Sequence, residues 1–160
     1  MSRLKIDLIA FAVSVSLSIV FFLLVYIFTL TYRGDGHGAS GNGNLGILFI
    51  IPAIPLYLIA LIFTYRIVGP LLDGAKTMLW GAMGLPLVIL LCILGEYVYV
   101  DNLIRHLRGG PGNPDSVIYN FGWLNQYTNR IYFNAYTFVI GLSLAALTRL
   151  VVKRIRNKNH

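Results

Sequence analysis

Few side chains in this 160-residue chain are equipped for chemistry, and three of the best fall between positions 96 and 106. Glu96, Asp101 and His106 combine two carboxylates with an imidazole, a set able to relay protons or hold a cation. Asp35 and His37 precede them and would reach the same side of the molecule. Nothing in the spacing of these five residues demands a metal, so no metal, cofactor or catalytic group is expected. A headgroup-level carboxylate at a helix end is the plainer reading of Glu96, and a solvated linker that of Asp35 and His37. The single cysteine, Cys92, lies in an apolar stretch and behaves there as a small hydrophobe; alone it excludes a disulfide framework and a CxxC motif. Motifs for zinc hydrolysis, a serine nucleophile or phosphate cradling are absent from the chain.

The elements that must carry these residues are apolar. The chain is 57% hydrophobic and 12% charged, where soluble domains run near 25% charged, and its charges are excluded from four long stretches. A helix rising about 1.5 Å per residue crosses a hydrocarbon core of about 30 Å in roughly 20 residues. The expectation is an all-α integral membrane protein, a four-transmembrane-helix bundle with spans at about 8–32, 45–68, 77–100 and 131–152. A signal peptide at the N-terminus is a poorer reading, because its apolar core is too long. Pro52 and Pro55 predict a kink or a loosened first turn in the second span, and Gly69-Pro70 a stop after it.

Thirteen Lys and Arg against six Asp and Glu leave a net charge of +7. Nine of the basic residues fall at the N-terminus (Arg3, Lys5), on either side of the inner turn at about 69–76 (Arg66, Lys76) and from Arg149 to the C-terminus; four are spread over the outer loops at about 33–44 and 101–130. The positive-inside rule then places both termini in the cytoplasm, with the bacterial cytoplasmic membrane as the expected location. The basic tail is expected to meet anionic lipid headgroups; it is too short for a nucleic-acid recognition helix.

Two features point to contacts. Ala10, Ser14 and Ser18 recur every four residues on the first span, as do Thr137, Gly141 and Ala145 on the fourth. Small residues at that spacing let helices approach closely, so the first and fourth spans are expected to meet along these stripes, or the stripes to form a dimer seam. In the second outer loop, Val100, Leu103, Ile104 and Leu107 make one apolar helical face, with Asp101 and Arg105 at a favourable i,i+4 spacing opposite. A Gly- and Pro-rich break at 109–114 follows, then an uncharged segment in which Tyr119, Phe121 and Trp123 alternate. It is read as interfacial, re-entrant or a folded outer cap, and as the best place for a partner or ligand. The expected function is non-catalytic: an accessory subunit, membrane regulator or immunity-type protein acting by contact with another membrane protein or by self-association. A small transporter or channel subunit, forming its pore as an oligomer, is the first alternative. An enzyme with an outer-face site around Glu96 is the second.

Overall fold

A computed structural model describes residues 2–34, 43–72 and 74–158. Among them the fold is all-helical, and four helices are long and apolar enough to cross a membrane: α1 (Arg3–Phe28), α2 (Ile47–Leu71), α3 (Ala75–His106) and α6 (Ala135–Lys158). Between α3 and α6 lie two short helices, α4 (Val117–Phe121) and α5 (Asn129–Tyr132).

The helices form where the apolar runs are uninterrupted, and several of their hydroxyls are satisfied within the helix. Ser18 donates to Ser14 O at 2.7 Å and Thr64 to Ala60 O at 2.8 Å, so neither hydroxyl needs water. α2 runs through Pro52, Pro55 and Pro70 as one helix, opening with tight i,i+3 bonds from Leu48 to Leu45 and from Phe49 to Gly46. It passes the expected Gly69-Pro70 stop by one residue. The helix expected from the apolar face at Val100–Leu107 runs on directly from the third span, so that α3 continues unbroken to His106, 32 residues or about 48 Å.

Helix α1 runs antiparallel along α2, α2 runs parallel along α6, and α6 runs antiparallel along α3. Two contacts set the α1–α2 register: Asp7 pairs with Arg66 at 2.8 Å at one end, and Phe28 stacks near Phe49 at 4.6 Å at the other. This register brings the buried Ser14 level with the buried Ala60, and Phe22 level with Ala53, so the small side chains permit close approach. Phe22 then contacts the rings of Tyr57, Phe133 and Phe138 at 5.2, 5.2 and 5.1 Å, joining α1, α2 and the start of α6 in one core.

The small-residue stripes of the first and fourth spans therefore do not mate with each other. The α1 stripe belongs to the α1–α2 seam, and Gly141 on α6 faces Tyr57 of α2. Any Cβ at Gly141 would collide with the Tyr57 hydroxyl, which donates to Phe138 O at 2.6 Å. Gly95 plays the same part between α3 and α6, its missing side chain leaving room for the Tyr136 ring. Helix α3 touches the bundle through α6, and none of its described side chains is fully buried.

With this topology the start of α1 and the end of α6 lie at one end of the bundle, beside the end of α2 and the start of α3. The end of α1, the start of α2 and residues 107–134 lie at the other.

Candidate functional site

Residues 107–134 fold into a cap with its own core. Leu107, Val117, Ile118 and Tyr127 are buried together, and Leu30, Tyr32, Leu103 and Ile104 pack around them. The apolar face that continues from α3 thus finds its partner in α4. The Gly-rich break reverses the chain: Arg108 and Gly109 take positive φ values of 65° and 109°, and Val117 N then donates back to Leu107 O.

Buried hydroxyls and amides hold the cap rigid. Ser116, fully buried, caps α4 by accepting from Tyr119 N at 2.9 Å while donating to Gly110 O at 2.7 Å. Thr128, also fully buried, donates to Trp123 O and accepts from Asn125 N. Asn125 closes the same loop through Gly122 O and Tyr127 N. The cap is tied to the rest by long-range bonds: Leu30 N to Gln126 O, Arg130 Nη2 to Thr29 O, and a reciprocal amide pair between Asn44 and Asn129 at 3.0 and 2.6 Å. Gly46 sits so close to Asn129 that a Cβ would overlap its amide.

On this frame the aromatic segment faces outward. Tyr119, Phe121 and Trp123 are 56%, 57% and 41% exposed, and Leu124 beside them reaches 80%. Val117 and Ile118 point into the cap core, so α4 buries one side and displays Tyr119 and Phe121 on the other.

Below the cap, α1, α3 and the start of α6 enclose an apolar cleft of about 570 Å³, lined by residues including Leu23, Tyr26, Tyr99, Tyr136 and Val139. Polar groups gather at its cap end. Asn134 caps α6 by accepting from Tyr136 N and Thr137 N, and the Thr137 hydroxyl accepts from Asn134 N in return. The Asn134 amide also donates to Glu96 Oε1 at 3.1 Å, leaving Glu96 Oε2 buried without a partner. The Tyr99 hydroxyl is buried beside Arg130, whose guanidinium lies 4.7 Å over the Tyr26 ring.

The three chemistry-bearing residues of α3 are therefore drawn apart. Glu96 faces Asn134, Asp101 pairs with Arg105 at 2.8 Å on the exposed side, and His106 is exposed at the helix end beside a second, smaller pocket. Asp35 and His37 lie outside the described residues. Among those described, no three His, Cys, Asp or Glu side chains gather into a group able to hold a metal.

Several residues that organise this end carry no pattern that names their partners. Arg130 reaches Thr29, 101 positions away, and Asn44 meets Asn129, 85 positions away. Ser116, just ahead of Val117 and Ile118, and Asn134-x-x-Thr137, a polar pair opening an apolar run, have the form of local capping signals. No known protein family, curated protein or solved structure matches the chain. What its fold defines is a class: an all-helical protein with four helices long and apolar enough for a membrane.

Proposed function

We propose that this chain is a multi-pass protein of a cytoplasmic membrane, with both termini in the cytoplasm, acting by contact with another membrane protein and not by catalysis. The observation that carries this reading is the exposed Tyr119, Phe121, Trp123 and Leu124 surface on a cap whose own hydrogen bonds keep it rigid. Rigid aromatic side chains bury large areas at low entropic cost, which is what a recognition surface needs. Three helix seams use the small residues of α1, α2, α3 and α6 internally, which leaves the cap as the distinctive outward feature.

The test is a pull-down from mild detergent with mass spectrometry. Replacing Tyr119, Phe121 and Trp123 together by Ala is expected to release a partner that the native chain retains, with thermal stability preserved. Retention of the same partners by the triple variant would overturn the contact reading. Topology is checked separately, in a Cys92→Ala background. Leu124→Cys is expected to react with a membrane-impermeant thiol reagent in intact cells, and Ser2→Cys only after lysis.

A second reading, a small transporter subunit, is favoured by one observation: the apolar cleft is lined by Asn134, whose amide donates to the half-satisfied Glu96 carboxylate. Glu96→Gln separates the two. It should leave partner capture intact, whereas a transporter would lose its flux.

A further inference from the structure

At the opposite end of the bundle, three arginines from three different helices line one pocket of about 350 Å³: Arg3 of α1, Arg66 of α2 and Arg149 of α6. Asp7 is the one carboxylate lining it, so the pocket carries an excess of two positive charges. Among the described residues the ion pairs are Asp7–Arg66 and Asp101–Arg105, which leaves Arg3 and Arg149 without an acidic partner.

Arg149 is held in place for binding. Its guanidinium lies 5.2 Å over the Tyr65 ring and against Gly69, where a Cβ would come within 2.5 Å of Nε. That Nε is buried and has no hydrogen-bond acceptor. Lys153 fixes the neighbouring backbone by donating to Gly69 O at 2.9 Å. Arg66 uses one nitrogen on Asp7 and rests 5.3 Å over the Phe63 ring, which keeps its other donors at the pocket.

Arg66 and Arg149 are fixed in this way, and exposed Arg3 adds a third guanidinium; such planar groups match tetrahedral oxyanions, which accept several N–H bonds at once. We propose that the pocket formed by Arg3, Arg66 and Arg149 binds a phosphate group. Two sources carry that chemistry: the headgroup of an anionic phospholipid, and a soluble phosphate ester. The lipid source rests on the membrane-spanning reading above, in which the pocket lies at headgroup level at the ends of apolar helices; the phosphate site itself does not depend on it.

The experiment is native mass spectrometry of the full chain in mild detergent, titrated with phosphatidic acid, phosphatidylcholine or glycerol 3-phosphate. Phosphatidic acid is expected to bind about tenfold or more tighter than phosphatidylcholine of the same chains. The Arg3→Gln/Arg149→Gln variant should abolish that preference. Arg154→Gln/Arg156→Gln, which removes the same charge from the exposed tail, should retain it. Arg3→Gln alone, on the first turn of α1, should weaken it measurably and keeps the test open if Arg149 proves necessary for folding. Glycerol 3-phosphate binding as tightly as phosphatidic acid would support the site and assign it to soluble esters. Equal binding of phosphatidic acid and phosphatidylcholine, or equal loss in the pocket and tail variants, would overturn it. Because the readout needs neither a partner nor a defined topology, its failure is distinct from failure of the contact reading.

Discussion

The two ends of this bundle finish apolar helices in different ways. At the cap end, the backbone freed where α1 stops at Phe28 is taken up at long range: Thr29 O accepts from Arg130, and Leu30 N donates to Gln126 O. A folded segment with its own core covers that end, leaving Glu96 Oε2, the Tyr99 hydroxyl and Arg130 Nε buried beneath it without partners. At the terminal end the helices stop among arginines. Arg66 has Asp7, but Arg149 keeps a buried Nε without an acceptor. One end is closed by hydrogen bonds within the chain; the other holds positive charge in excess of its own acids. A covered end can present a surface of its own, while an end whose arginines outnumber its acids is suited to taking up an anion.

The comparison breaks first at the buried hydroxyls. Thr128→Val removes a donor and acceptor with no access to water, and should cost about 1–3 kcal/mol in thermal unfolding in detergent. A loss of a few tenths would show that the cap is not a rigid frame. Next is the staple between cap and α2: Gly46→Ala drives a methyl group into the Asn129 amide and should cost about 1 kcal/mol or more. Much of that loss should disappear in an Asn129→Ala background, because the two changes share one contact. At the terminal end, a double-mutant cycle on Asp7 and Arg66 should give a coupling of about 0.5–1 kcal/mol. Arg66 is partly exposed there, so the coupling should shrink in high salt. Smallest is Arg105→Ala, which breaks the exposed Asp101 pair and should cost about 0.3 kcal/mol. That pair lies at the cap end, so a small value there would show that burial, not position in the bundle, sets the difference.

Of the candidate site, the sequence made local relations legible and non-local ones not. Asp101–Arg105 follows from i,i+4 spacing and forms as such. The outward aromatic character of Tyr119, Phe121 and Trp123 was readable as a pattern, but the alternation suggested by their spacing became one exposed side of a five-residue helix and the turn after it. The small-residue stripes were visible and their pairing was not. Ala, Ser and Gly at fourfold spacing make a surface that fits many others, so the partner is chosen by register. Here Asp7–Arg66 and Phe28–Phe49 choose it for α1, and Tyr57 chooses it for Gly141.

By itself the sequence determined four long apolar helices and an uneven division of charge between their ends, because hydropathy and length act locally along the chain. Tertiary structure alone decided that α3 stands at the edge and that Asn44 meets Asn129. It also drew Arg3, Arg66 and Arg149, each on a different helix, into one pocket. The physical reason is the same in all three cases. Which helix ends become neighbours depends on side-chain fit across the bundle, and no interval measured along one strand of sequence encodes that fit.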